Sequence, residues 1–159
     1  MTEGRLGVRI VVQRVIGATL GVVEDDGERE HARIGAGLVA LVGVEKDDTP
    51  ADLAWGADKL VNLRIFEDDA GKMNLSVLDV KGAVLLVPNF TVAGSSRKGR
   101  RPSFDTAMAP TQAEGFVQEL VSLVRANGAP IESGVFGAHM RVRIENDGPV
   151  TIWLDSRER

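Results

Sequence analysis

The sequence has no cysteine and only two histidines, His31 and His139. The absence of cysteine excludes disulfides, thiolate nucleophiles and zinc–thiolate sites. Without a histidine cluster, a dedicated transition-metal site is not expected. A Ser-His-Asp signature and a G-x-S-x-G elbow are also missing. We therefore expect no metal and no cofactor, and an enzyme of this composition has to rely on backbone donors and on groups of its substrate.

Long apolar runs are absent as well. No run reaches membrane-spanning length, and the N-terminus lacks the apolar region of a signal peptide, which indicates a cytoplasmic protein with no membrane partner. The net charge of −4 argues against a large nonspecific nucleic-acid surface but leaves room for a local basic patch. With 159 residues, 43% of them hydrophobic, the chain is expected to form one domain over residues 1–159.

Short apolar and alternating segments predict about eight or nine strands and two helices. The first helix is expected to start at Thr49-Pro50, with Thr49 as the cap, and the second to run from about Thr111 to Asn127. Strands are predicted at 8–15, 18–23, 29–34, 38–44, 62–66, 83–87, 130–134, 140–144 and 150–154.

Most of these strands are joined by polar turns and not by helical crossovers. We interpret 24–27, 35–37 and 67–72 as hairpins, and the apolar run 38–44 as a strand buried on both faces. Pro88 cannot donate to a ladder and marks a strand end, an edge or a bulge. The fold class is therefore predicted as α+β, a mostly antiparallel, barrel-like sheet with two main helices packed on it.

The stretch Asn146-Asp147-Gly148-Pro149-Val150-Thr151 lies between two strand-like runs. Glycine permits positive φ and close backbone approach. An X-Pro bond can be cis at a cost of roughly 0.5–1 kcal/mol, and a cis bond would present two carbonyls on one side as rigid acceptors. On the dipeptide alone, a tight turn between two strands is the plainer interpretation.

The densest positive block of this acidic chain lies in a polar segment, Gly94–Ser103. It suits phosphate binding or a solubilising loop, and the residues alone leave both open. Its members are Arg97, Lys98, Arg100 and Arg101. Nearby hydroxyl groups, such as that of Thr91, have no base adjacent in sequence, and His139 is interpreted as structural or surface-lying.

Five blocks that occur in order resemble the D-aminoacyl-tRNA deacylase family. They are residues 62–68, 71–77, 98–104, 136–140 and 146–151, and 12–15 and 37–45 also fit. The resemblance covers about Val8 to Ser156 and implies a homodimeric, tRNA-binding, proofreading hydrolase with a barrel-like fold. Such an enzyme cleaves the ester of D-aminoacyl-tRNA, and of glycyl-tRNA mischarged on tRNA-Ala, and releases the free amino acid and tRNA.

The first site motif implied by the resemblance is Gly148-Pro149. In the family this pair enters the partner subunit's pocket and acts as a chiral filter, since main-chain carbonyls cannot be moved by a rotamer change. Arg14 matches the arginine that supports the pair. Met140 and Asn146 are assigned to the same substrate-binding group.

The second motif is usually Ser-Gln-x-Thr and aligns here with Pro88-Asn89-Phe90-Thr91. Phe90 is implied to line the pocket by the terminal adenosine. The Thr91 hydroxyl or neighbouring main-chain N–H groups are implied to stabilise the oxyanion, assisted by the substrate 2′-OH. A covalent role for Thr91 is the rival mechanism. The basic residues 97, 98, 100 and 101 are assigned to tRNA.

The departure from the family pattern lies in Pro88-Asn89. Pro88 lacks a backbone donor and a hydroxyl, and Asn89 is one methylene shorter than glutamine. A related branch with Pro-Gln at this place accepts L-alanine mischarged on tRNA. Two alternatives to a strict D-specific editor follow, a relaxed editor that also removes L-alanine and an inactive, nucleic-acid-binding member of the family.

Overall fold

The computed structural model describes residues 7–158. Within them the α-helices are α1 (Pro50–Asn62) and α2 (Pro110–Ala126), and a 3-10 helix covers Phe90–Ala93. The strands, in order, are β1 (Arg9–Glu24), β2 (Gly27–Ile34), β3 (Gly37–Gly43), β4 (Phe66–Glu67), β5 (Met73–Leu75), β6 (Ala83–Pro88), β7 (Ile131–Ser133) and β8 (Met140–Asp155).

The sheet is built around β1, a strand of 16 residues. β8 runs antiparallel beside most of it, while β2 pairs with its second half and β3 with its first half. β3 then pairs in parallel with β6, and β6 with β7. β4 and β5 form a separate antiparallel pair. Four of the six pairings are thus antiparallel, and the predicted fold class, a mostly antiparallel, barrel-like α+β fold, is confirmed.

Several local predictions are wrong. The segments 8–15 and 18–23 form the single strand β1, and 140–144 and 150–154 form the single strand β8. The stretch 35–37 is not a hairpin, because Ile34 pairs with Ala18 and Gly37 with Val15, so β2 and β3 continue in one direction along β1. Irregular pairing interrupts the alternation of a long strand much as a turn does, and the sequence pattern cannot separate the two.

The predicted strand at 62–66 is also wrong, since α1 extends to Asn62 and β4 covers only Phe66–Glu67. The start of α1 is confirmed. It begins at Pro50, and the Thr49 N–H donates to Asp52 Oδ2 at 2.8 Å. Neither helix in the described range is long and apolar enough to cross a membrane.

The core has two parts, one on each face of the sheet. Leu38 and Ala40 of β3 face the helices, and Val39 faces the opposite side with Leu85 of β6. These four residues have no exposed surface, which confirms that this run is buried on both faces. The helices contribute an apolar stripe each to the first core: Leu53, Ala57, Leu60, Val61, Ala113, Val117, Leu120 and Val124.

A buried charged cluster ties the C-terminal segment to the start of α1. Arg157 Nη2 lies 3.1 Å from Asp52 Oδ2 and 3.9 Å from Asp48 Oδ1. Burial raises the pKa of the Asp48 carboxyl to about 7, and the negative charges of Asp52 and Glu45 act in the same direction. A hydrogen bond from the Glu45 N–H to Asp48 Oδ2, 2.7 Å long, opposes this rise.

Replacing Asp48 by asparagine is expected to change the pH dependence of stability. A carboxyl with a raised folded-state pKa binds its proton more tightly in the folded chain, so its contribution to stability falls as pH rises from about 4 to about 7. The free energy of unfolding of Asp48→Asn, minus that of the wild type, should therefore increase over this window and level off above it. Urea unfolding at several pH values measures this difference, and a constant difference would contradict the assignment.

Candidate active site

An apolar cavity of about 680 Å³ opens where β3 and β6 end. Pro88, the last residue of β6, and Asn89 contribute to its wall, together with Phe90 and Met140. The other lining residues are Leu41, Val42, Val44, Val87, Phe104, Ala107, Met108, Ala109, Pro110, Ala113, Val117, Phe136, Gly137, Ala138, His139 and Val142. A concave, apolar space with a few polar groups at its edge is the usual form of a small-ligand site.

The 3-10 helix Phe90–Ala93, called the pocket turn below, follows directly after β6. The Asn89 N–H donates to the Val42 carbonyl at 2.8 Å, which fixes the point where the chain leaves the sheet. The Phe90 side chain is 62% exposed and meets Phe104 edge-to-face, with 5.0 Å between the ring centroids. The exposed Phe90 ring, packed on the half-buried Phe104 beside the cavity, offers a stacking surface to a flat ligand group.

Thr91 lies on the exposed side of the pocket turn, and its hydroxyl donates to Asn89 Oδ1. This contact engages the Thr91 hydroxyl hydrogen and leaves the oxygen lone pairs as acceptors. Pro88 stands at a strand end, one of the three places predicted for it.

Two glycines allow the pocket turn to sit close to its neighbours. A Cβ on Gly43 would lie 2.7 Å from the Ala93 nitrogen and 3.2 Å from the Asn89 carbonyl oxygen. A Cβ on Gly94 would lie 2.6 Å from the Phe104 ring. The distances of 2.7 and 2.6 Å are shorter than real contacts, so a side chain at either position would displace the turn or the ring that borders the cavity.

The Gly148-Pro149 pair lies in a bulge of β8. Gln13 pairs with Thr151 and Val15 with Asn146, so one residue of β1 faces the four residues 147–150, called the Gly-Pro bulge below. The strand continues on both sides, and the tight-turn interpretation is wrong. The Gly148–Pro149 bond is cis, Gly148 has φ of +123°, and both residues are exposed.

Arg14 is the single residue opposite the Gly-Pro bulge. Its guanidinium donates from Nε to the Asp147 carbonyl at 3.3 Å and from Nη1 to the Ile65 carbonyl at 2.8 Å. The side chain is 8% exposed, so it bridges two backbone segments from within the protein. Asn146 closes the base of the bulge, because its Nδ2 donates to the carbonyls of Arg14 (2.8 Å) and Val150 (3.0 Å).

The basic segment forms an exposed loop beside the cavity. Ser95 and Ser103 close it through two N–H···O=C hydrogen bonds of 2.7 Å. The loop then leads into Phe104 of the cavity wall. Its four cations all lie at the surface: Arg97, Lys98, Arg100 and Arg101.

The structure thus places the predicted site residues in three groups. Pro88, Asn89, Phe90 and Met140 line the cavity, with Thr91 on the adjoining turn. Arg14, Asn146, Gly148 and Pro149 lie together at the Gly-Pro bulge and do not line the cavity of their own chain. The basic loop forms the third group.

Sequence reasoning missed most of the cavity wall. The first turns of α2, through Pro110, Ala113 and Val117, and the segment at Phe136 contribute apolar surface. In the sequence these residues have the pattern of ordinary core positions, and only the packing of the folded chain shows that they line a cavity. His139 also lines the cavity while exposed.

The fold and the site together indicate a class of protein. A barrel-like α+β fold with an apolar cavity, an exposed phenylalanine at its edge and an adjacent basic loop suits an enzyme that takes the end of a polyanionic substrate. The family model described as D-Tyr-tRNA(Tyr) deacylase matches residues 11–155. The chain belongs to this family, whose named members are hydrolases acting on ester bonds.

Known proteins similar to this chain carry related names. It is 51% identical over 152 residues to the D-aminoacyl-tRNA deacylase of Geobacter sulfurreducens, covering 96% of this chain and 97% of that protein. It is 52% identical over 149 residues to that of Clostridium botulinum, covering 94% and 97% of the two chains.

Two solved structures resemble the fold. The c-Myc DNA Unwinding Element Binding Protein has a TM-score of 0.85 at 41% identity, covering 92% of this chain and 97% of that one. A protein described as a probable eukaryotic D-amino acid tRNA deacylase has a TM-score of 0.76, covering 93% and 98%. At 21% identity, the second likeness shows the fold alone.

Proposed function

We propose that this protein hydrolyses the ester that joins a D-amino acid, or glycine, to the 3′-terminal adenosine of tRNA. The observation that carries the proposal is the cavity, whose wall holds Pro88, Asn89 and Phe90 next to Thr91 of the pocket turn. The chain's membership of the deacylase family supports the ester as the bond cleaved. Aminoacylated tRNA as the substrate agrees with a cytoplasmic role.

The terminal adenosine would enter beside Phe90 and Phe104, where an exposed ring can stack on a base. The first N–H groups of a 3-10 helix have no acceptor within it, so those of Phe90 and Thr91 are the natural donors to the oxyanion. Water adds to the ester carbonyl and the bond to the ribose 3′-oxygen breaks. The substrate 2′-OH assists in moving the proton to that oxygen, and the products are the free amino acid and tRNA.

Selection against L-amino acids is assigned to the Gly-Pro bulge of a partner subunit. Gly148 and Pro149 are exposed and lie apart from the cavity of their own chain, which suits delivery to a second copy. Their carbonyls would accept hydrogen bonds from the substrate's α-ammonium group and occupy the space that an L side chain needs. Arg14 holds this backbone, so the filter is rigid.

The phosphates that precede the terminal adenosine are assigned to the basic loop. Four cations on one short exposed loop supply local positive charge on a chain whose net charge is −4. Such contacts would steer the tRNA end to the cavity and would weaken as salt rises.

The deciding experiment measures hydrolysis of matched D-, L- and glycyl-tRNA by the purified protein. We expect loss of the D and glycyl esters with the L esters spared. Loss of L-alanyl-tRNA as well would favour a relaxed editor, as Pro88-Asn89 suggests. If deacylated tRNA binds and no ester is cleaved, the chain is an inactive nucleic-acid-binding member and the proposal fails.

The same assay distinguishes hydrolysis assisted by the substrate 2′-OH from a covalent mechanism with Thr91 as the nucleophile. Since the Thr91 hydroxyl donates its hydrogen bond to Asn89, we expect the turnover of Thr91→Val to stay within about tenfold of the wild-type value. A substrate ending in 2′-deoxyadenosine should lose about 100-fold or more, because the assisting hydroxyl is missing. Complete loss in Thr91→Val, together with full activity on the 2′-deoxy substrate, would instead support a covalent role for Thr91.

A further inference from the structure

Arg9 lies at the start of β1 and reaches the far end of the pocket turn. Its Nη1 donates to the Val92 carbonyl at 3.3 Å and to the Gly94 carbonyl at 3.2 Å. Arg9 itself is 4% exposed, and both hydrogen bonds are part-buried. Arg9 is outside the motifs that carry the family resemblance, and the reaction described above does not use it.

Glu45 fixes the guanidinium from the other side. Its Oε1 lies 2.6 Å from Arg9 Nη2, and both side chains are at most 5% exposed. Glu45 also forms an antiparallel bridge with Ala107, and the Lys46 N–H donates to the Thr106 carbonyl at 2.9 Å. The ion pair therefore joins three segments: β1, the pocket turn, and the strand-like stretch beyond Phe104.

We propose that Arg9 is a positioning residue for catalysis, which holds the pocket turn in register with the cavity while Glu45 aims its guanidinium. This rests on the proposed function of the turn. The guanidinium divides its contacts between two nitrogens, with Nη1 donating to the two carbonyls and Nη2 on Glu45, whereas an ammonium group has to meet all three oxygens from one nitrogen. The turn also lies against Gly43, the residue of β3 that pairs with Arg9, so a close backbone contact and the guanidinium both fix its position.

A second feature sets Arg9 apart from an ordinary buried ion pair. A pair that serves folding alone is satisfied by its two charges, whereas this guanidinium gives its Nη1 donors to the turn that carries Phe90 and Thr91. Leaving these two part-buried carbonyls without donors loosens that turn in particular. The chain offers a matched control in Arg157, whose pair with the buried Asp52 lies on another segment and touches neither the turn nor the cavity.

The test compares Arg9→Met, Arg9→Lys and Arg157→Met. In Arg9→Met we expect kcat for the D-ester to fall at least about tenfold per folded molecule, with KM changed by less than about threefold. Arg9→Lys should be intermediate, since it keeps the positive charge beside Glu45 but has one nitrogen in place of two for Glu45 and the two carbonyls. Arg157→Met should be less stable than the wild type, because it leaves Asp52 without its ion pair to Arg157, and its kcat should equal that of the wild type.

Amide hydrogen exchange gives a readout that does not depend on turnover. The Gly94 N–H, which donates to the Thr91 carbonyl at 3.0 Å, should exchange at least about tenfold faster in Arg9→Met and not in Arg157→Met. Unchanged exchange and unchanged kcat in Arg9→Met would overturn the positioning role. If the wild type cleaves no ester, the proposed function fails, and faster exchange would leave Arg9 with control of the turn alone, without a catalytic role.

Discussion

Gly148→Ala should lower kcat/KM for a D-aminoacyl ester by about 100-fold or more, equivalent to roughly 2.7 kcal/mol of transition-state stabilisation. Gly148 has φ of +123°, where an L side chain is unfavourable. A Cβ there would also lie 2.8 Å from Val150 Cγ2, 3.0 Å from Arg14 Nη2 and 3.0 Å from the Val150 nitrogen. Relief of these contacts has to shift the Gly-Pro bulge or its anchor, and with it the carbonyls assigned to the substrate.

A matched control separates this effect from the general cost of positive φ. Gly27, the first residue of β2, has nearly the same φ, +124°, and a Cβ there would meet nothing within 4 Å. Gly27→Ala should lose a similar amount of stability, about 1–2 kcal/mol, and keep its activity. Measuring initial rates and urea unfolding for both variants tests the pair, and normal turnover by Gly148→Ala would remove the bulge from the site.

Arg14→Met is the second change with a large expected effect. Methionine keeps an apolar stem but leaves the carbonyls of Asp147 and Ile65 without their donor, in a position where the side chain is 8% exposed. We expect stability to fall by about 3 kcal/mol and D-ester turnover to fall at least about tenfold in molecules that remain folded. Denaturant unfolding and single-turnover rates on the folded fraction measure the two effects separately.

The control for Arg14 is an arginine pair at the surface. Arg33→Met removes an exposed pair with Glu30, 2.6 Å long, and should change neither stability nor activity measurably. Arg14→Lys should remain impaired, because one ammonium group cannot reach both carbonyls in the geometry of the fork. Should Arg14→Met match the wild type in turnover, the bulge would not depend on this anchor.

The pattern of apolar residues predicted the helices and the barrel-like α+β class well. The start of α1 follows from Thr49 and Pro50, whose preferences act within one turn of chain. The double burial of β3 follows from its unbroken apolar run. These features depend on neighbours in sequence, and a pattern of neighbours is what a single sequence contains.

The sequence pattern was misleading at two places beside β1, the join between β2 and β3 and the bulge within β8. The glycines of 35–37 and the Gly-Pro pair both resemble turns, but β1 pairs on past them. Whether such an interruption reverses the chain or only bulges depends on the hydrogen bonds of a third segment far away in sequence. Local preference carries no information about that segment.

The sequence by itself determined the family, through ordered blocks that include Gly148-Pro149. The absence of cysteine also excluded disulfides, thiolate nucleophiles and zinc–thiolate sites. The tertiary structure decided which of these residues share a site. It separated the Gly-Pro bulge from the cavity of its own chain, and it brought Arg9 to the pocket turn across 83 positions of sequence. Contacts of that kind form only when the whole sheet closes, because their partners lie on strands that meet through long-range pairing.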